Sequence, residues 1–262
     1  MSLDNALWLI GVVVEAAVVG LLVYRRVWRI LPVFCIYCAW DLFSNAAGIP
    51  VFRFFPASYL TFYLANMVVD SALEFGVLIE LAWSVLRPFR ASLPRGAVVV
   101  VAGLVMALGA AIWPFAAIPG FGNLPPEYHH LMQLIQTTAI LRILFFLALA
   151  GCSQLLSIGW RDRELQVATG LGFYSLVSLA VAMLHSHLTM GPQYEHLIQV
   201  VVVSYICTLL YWMISFSQKE VVRRDFSPQM QSLLLSVAGT ARTTRIALAD
   251  SEAAKKPKTG ER

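Results

Sequence analysis

Charge is scarce in this chain. Only 13% of its 262 residues are Asp, Glu, Lys or Arg, while 59% are hydrophobic and the mean hydropathy is +0.72. A soluble domain carries roughly 25% charged residues, so the bulk of the chain is not one. Catalytic signatures readable from spacing are missing as well. There is no Walker loop, no GxSxG, no HExxH and no dinucleotide fingerprint. The 4 cysteines show no external disulfide pattern. The start, MSLDNALWLIG, lacks the basic n-region of a signal peptide, so its apolar run is expected to stay as an uncleaved span.

What the chain does have is apolar blocks long enough to cross a hydrocarbon core, for which roughly 20 residues suffice. Seven are read, at about 5–24, 30–51, 59–86, 96–118, 128–157, 165–187 and 194–217. The fourth, GAVVVVAGLVMALGAAIWPF, carries no charge at all. These spans and their short links use nearly every residue before 218, leaving no room for a soluble catalytic domain. The expected fold is an all-α membrane protein. It is a single seven-helix transmembrane domain over 1–217, followed by a tail over 218–262.

Basic residues set the expected orientation. Arg25, Arg26 and Arg29 lie between spans one and two, Arg87, Arg90 and Arg95 between three and four, Arg161 and Arg163 between five and six. The tail from Lys219 to Arg262 holds nine more, so 17 of the 19 basic residues fall on one side. The positive-inside rule makes that side the cytoplasm, with the N-terminus outside. The expected location is therefore a bacterial plasma (inner) membrane. Lipid headgroups account for a pI near 9.0 without nucleic acid as a partner.

Acids inside the spans are the unusual feature. YLTFYLANMVVDSALEFGVLIELAWSVLRP places Asp70, Glu74 and Glu80 on one apolar helix. An acid at the bilayer centre costs about 2.5–3.5 kcal/mol on insertion scales. Counting by depth at 1.5 Å per residue, Glu15, Asp41, Asp70, Glu74 and Arg142 share the central layer, and Glu80 lies about two turns nearer the cytoplasm. Asn66, Asp70 and Glu74 recur every four residues and so share a helix face. Lipid cannot solvate that face, so it is expected to point inward. Arg142 is the single cation at that depth and is expected to fork onto Glu74 or Asp70. Four acids against one cation leave a deficit. At an effective dielectric constant near 20, two like charges 6 Å apart repel by roughly 3 kcal/mol. A proton, a bound cation or a ligand is expected to complete the site. The expected polar pocket comprises Arg142, Asp70, Glu74, Asp41, Glu15 and Asn66; the plainer alternative is an ion pair with neutral carboxyls bridging helices.

A second constellation lies toward the other side. His129 and His130 start span five, His185 and His187 end span six, and His196 starts span seven, with Glu127 and Glu195 beside them. Three helix ends could bring imidazoles together for zinc or copper, but HH and HSH are not HxxxH on one face. No cofactor is therefore expected. Cys35 and Cys38 form CIYC, and Cys152 and Cys207 stand apart; these read as small packing residues. Gly20, Ala47, Gly76, Gly109 and Gly170 are expected at close helix contacts. The link WPFAAIPGFGNLPPEYHH is either a lid or an interfacial segment. The tail is expected to hold a short amphipathic helix over 228–249 on the inner leaflet and a polar, disordered end.

Seven spans invite comparison with rhodopsins and receptors. The last span, LIQVVVVSYICTLLYWMISF, has no lysine, which excludes a retinal Schiff base, and DRY, NPxxY and the HxxxH of seven-helix zinc hydrolases are missing. The run FYLANMVVDSALEFGVLIELAWSVLRPFRASL, with Glu80 and Arg87-Pro88-Phe89, resembles an uncharacterised group of seven-span membrane proteins predicted in Acidobacteria. LRILFFLAL, LSIGWRDRE and GLGFYSLVSL extend the resemblance, while Leu81-Ala82-Trp83 departs from it. The resemblance implies a topology and no activity. Three functions are open. The first is a receptor-like sensor binding a small molecule or lipid, with a cytoplasmic signalling partner on the tail. The second is a small proton-coupled transporter, although no internal repeat is found. The third is an intramembrane metal-dependent enzyme.

Overall fold

A computed structural model describes residues 3–85, 96–116, 126–151, 162–187 and 192–218. Among these the regular structure is entirely helical: α1 Leu3–Tyr24, α2 Pro32–Phe54, α3 Pro56–Val85, α4 Ala97–Ile112, α5 Pro126–Gly151, α6 Arg163–His187 and α7 Pro192–Ser217, with short 3-10 turns at Val27–Arg29 and Trp113–Phe115. Four helices begin on proline, at Pro32, Pro56, Pro126 and Pro192. Proline suits that position because it has no N–H to leave unpaired and its φ is already helical. The α4 helix stops at Ile112, short of the expected 118, because Pro114 cannot continue the hydrogen-bond ladder and the chain tightens into the turn Trp113–Phe115. Residues 152–157 of the fifth expected span, the link 117–125, Cys152 and the tail beyond Gln218 lie outside the described residues.

Six helices are long and apolar enough to cross a membrane; α2, though 23 residues long, is not among them. Asp41, Ser44, Asn45 and Pro50 dilute its apolar character. The polarity has a place to go, because α2 lies between α1 and α3 within the bundle. The helices α1, α2, α3, α5, α6 and α7 close into a ring in which α7 packs back on α1, while α4 sits outside against α3 and α5. Outward-facing residues such as Val13, Val99, Val100, Leu104 and Leu147 are exposed, as expected of side chains that face lipid.

One half of the ring is solid. Val18, Leu22, Leu31, Phe34, Val77, Leu81, Leu165, Leu209 and Phe216 form its buried core at the end where α1 gives way to α2. The Phe34 ring meets Trp212 edge-on at 5.0 Å. Gly170 lets α6 approach α7 there, since a Cβ on it would lie 2.6 Å from Trp212 Cε2. A Cβ on Gly76 would touch Val33, and one on Gly109 would touch Phe75, both at 3.0 Å. Around Gly20, in contrast, nothing lies within 4 Å. Gly172, which the sequence reading passed over, is also tight, though less so than Gly170: its Cβ would meet Phe146 Cβ at 2.7 Å.

Polar contacts close this end. The Glu80 carboxylate accepts the backbone N–H groups of Val33 and Phe34, each at 2.8 Å. These are free donors of the first turn of α2, so Glu80 caps that helix from α3. Ser84 donates to Glu164 at 2.6 Å, and the Trp212 indole donates to the Gln166 carbonyl at 3.2 Å. The Arg25 guanidinium donates to the carbonyl of Ser217 at the end of α7. Arg26 takes the left-handed conformation (φ 55°) between α1 and the following turn.

Candidate functional site

The other half of the ring is hollow. Helices α1, α2, α3, α5, α6 and α7 surround a cavity of about 490 Å³. Its polar wall is built by Asp41 and Asn45 of α2, Asp70 and Glu74 of α3, Arg142 of α5 and Tyr205 of α7. Each helix delivers its groups through the four-residue repeat that stacks side chains on one face: Asp41 with Asn45, and Asp70 with Glu74.

These groups fall into two clusters. In the first, Arg142 Nη1 lies 2.5 Å from Glu74 Oε1, and the two residues are 5% and 8% exposed. The guanidinium also faces the Tyr174 ring, 5.8 Å from its centre. Asp70 stands one turn along α3 from Glu74 and keeps Oδ1 buried without a hydrogen-bond partner, as does Arg142 at Nε. In the second cluster the Tyr205 hydroxyl lies 2.8 Å from Glu15 Oε1 and 2.6 Å from Asp41 Oδ2. The Asn45 amide donates to the other oxygens of the same carboxyls, Glu15 Oε2 at 3.2 Å and Asp41 Oδ1 at 3.4 Å. Tyr174 and Tyr205 join the clusters, with ring centres 5.7 Å apart.

The charged residues expected in one central layer thus fall into two polar clusters with the cavity between them. Glu15 is fully packed behind Tyr205 and does not itself line the cavity. Asn66, one turn from Asp70, does not line it either, and its Oδ1 is buried without a partner. Glu80 belongs to the α2 cap. Sequence reasoning missed Tyr37, Tyr174, Tyr205 and Asn45. Asn45 carried a usable signal, standing four residues after Asp41 just as Asp70 stands four after Asn66. The tyrosines had none, because an isolated tyrosine in an apolar run reads equally well as an interfacial or core residue.

Of the five histidines, three have described side chains. His129 is half-buried and His130 exposed at the start of α5, and His196 is exposed near the start of α7. The side chains of His185 and His187 lie outside the described residues. No group of three or more His, Cys, Asp or Glu placed to hold a metal ion is found among the described residues. Cys35, Cys38 and Cys207 are free thiols.

An all-helical bundle with six helices apolar enough to cross a membrane, lipid-facing residues outside and a polar cavity within has the make-up of a multi-pass integral membrane protein. No protein-family model, characterised protein or solved structure matches the chain.

Proposed function

We propose that the chain is a seven-span, receptor-like membrane protein that binds a small molecule in the central cavity and passes its occupancy to a cytoplasmic partner through the tail. The observation that carries this reading is the cavity itself. Its volume of about 490 Å³ falls within the roughly 300–1,000 Å³ of small-molecule sites, and a few convergent polar groups stand on apolar walls. Six helices contribute to it, so a ligand there would bias how they pack. The distribution of Lys and Arg supports an external N-terminus and an internal C-terminus. In that orientation the solid half of the ring faces the cytoplasm and the hollow half faces outward.

The test is native mass spectrometry of the purified chain released from detergent. A co-purified small molecule lost on replacing Tyr205 and Asp70 supports the reading; an unliganded chain, in wild type and variants alike, counts against it. A second reading, a proton-coupled carrier, is favoured by the Tyr205 bridge between two carboxyls, since intramembrane acids are typical of proton relays. Proton uptake into proteoliposomes, abolished by Asp41→Asn, would favour it over a receptor.

A further inference from the structure

We infer that the cavity takes a small organic cation, a protonated amine whose charge is met by Asp70 and whose neighbouring hydrogen-bond acceptor is met by Arg142; this rests on reading the cavity as a ligand site. The argument begins with charge. Among the described residues Arg142 is the sole Lys, Arg or His on the cavity wall, and its charge is already matched by Glu74 at 2.5 Å. What remains is acidic. Asp70 lines the cavity and has no ion-pair partner among the described residues. In the other cluster stand Glu15 and Asp41, both within hydrogen-bond distance of one phenolic oxygen. Tyr205 has a single hydrogen to donate. It satisfies one carboxylate, so the second short contact needs a further proton, held on Glu15 or Asp41. That pair then carries one negative charge, and an ammonium placed beside Asp70 favours the ionised form of that carboxyl as well, so the wall presents net negative charge to a cation. An incoming anion is repelled and an incoming cation is attracted.

The unmet hydrogen bonds narrow the ligand further. Asp70 Oδ1 is a buried acceptor without a donor, and Nε of Arg142, a residue only 5% exposed, is a buried donor without an acceptor. Unpaired buried groups of this kind are costly, and both belong to residues on the cavity wall. Both atoms are closed off from the cavity, so a ligand meets them only as the two side chains turn toward it; an ammonium near Asp70 and a hydroxyl or ether oxygen near Arg142 would then satisfy the two together. Trp8, Tyr37 and Tyr174 also line the wall, and aromatic faces attract organic cations. A bare metal ion suits the wall less well. It needs several oxygen ligands converging on one point, and no group of three acids is so placed among the described residues.

The experiment is isothermal titration of the full chain in lipid nanodiscs with three probes that share a ring and a hydroxyl. Phenylethanolamine carries an ammonium, mandelate a carboxylate, and 1-phenylethane-1,2-diol no charge. The amine is expected to bind at least tenfold more tightly than the other two. Asp70→Asn should erase that preference, while Asp70→Glu, which restores the charge, should retain it. Thermal melting of each variant confirms that it is folded. Mandelate binding as tightly as the amine, or an amine affinity unchanged in Asp70→Asn, overturns the inference and leaves the cavity a ligand site of another kind. If no probe binds, native mass spectrometry decides. A co-purified amine supports the inference, and a co-purified anion or neutral molecule overturns it while the ligand-site reading survives. An unliganded chain overturns both.

Discussion

Arg142 of α5 and Glu74 of α3 meet at 2.5 Å in the middle of the bundle, each almost completely buried. Replacing Arg142 with Leu strands the carboxylate, and breaking a buried pair from one side costs about 3–5 kcal/mol. Changing both Arg142 and Glu74 to Leu should recover most of that loss, because an apolar pair of similar volume is often no worse than the ion pair. Arg142→Leu combined with Asp70→Leu should recover much less. A double-mutant cycle on thermal stability in detergent measures the difference. Additive effects for the Glu74 pair would mean that this contact does not organise the layer.

The bridge at Tyr205 makes a separate prediction about protons. Two carboxyl oxygens at 2.8 and 2.6 Å from one hydroxyl require a hydrogen beyond the phenol's own. Infrared spectroscopy of the purified chain should therefore show the carbonyl stretch of a protonated carboxylic acid. Glu15→Gln alone, or Asp41→Asn alone, should remove it, since Tyr205 can then donate to the remaining carboxylate and accept from the new amide. A band of unchanged intensity in both variants would place the proton elsewhere.

How far the sequence anticipates this site depends on the kind of signal each residue carries. Arg142, Asp70 and Glu74 were legible because a charge in an apolar run has few tolerable environments, and the four-residue repeat fixes its face. Depth counting also groups Glu15 and Asp41 with Arg142. It could not separate them from Arg142, because depth says nothing about where helices stand around a ring. Glu80 illustrates the limit from the other side. Its distance from the centre was readable, but its partners are backbone N–H groups of Val33 and Phe34, which leave no mark in the sequence of α2. A polar pocket around Arg142 is expected from the sequence, but its size is not legible there, because it is what remains where α4 stays outside and six other helices close.

Glu80 should behave as a helix cap. Glu80→Ala leaves two first-turn donors of α2 without acceptors, and loss of a capping group costs about 0.5–2 kcal/mol. Glu80→Gln keeps one acceptor oxygen and should lose less. Hydrogen exchange followed by mass spectrometry should show faster exchange confined to the first turn of α2. Equal protection there in Glu80→Ala and wild type would remove the cap from the account.

Glycines offer a packing test with an internal control. Gly170→Ala drives a methyl group into Trp212, and overpacking of this sort costs about 1–3 kcal/mol. Adding Trp212→Leu should relieve much of it. At Gly20 nothing stands within 4 Å of the new Cβ, so Gly20→Ala should be neutral or stabilising by up to about 1 kcal/mol, the helix-propensity difference. Similar melting shifts at Gly170 and Gly20 would contradict this placement of α6 against α7.

The last prediction concerns α2, whose composition sets it apart from the six apolar helices. If α2 crosses the membrane, the chain has seven spans and its termini lie on opposite sides; if it does not, the termini share a side. Two physical arguments favour crossing. Asn45 of α2 reaches Glu15 of α1, and Asp41 of α2 reaches Tyr205 of α7, both at the level of the cavity, so a helix lying on the surface could not make these contacts. The charges agree, because a non-crossing α2 would put Arg87, Arg90 and Arg95 opposite Arg25, Arg26 and Arg29, against the positive-inside rule. Reporter fusions after Gln218 should be active only in the cytoplasm, and fusions near Gly122 and at the N-terminus only outside. Both termini reporting from one side would reduce the bundle to six spans, and α2 would then have to be held within the ring without crossing the bilayer.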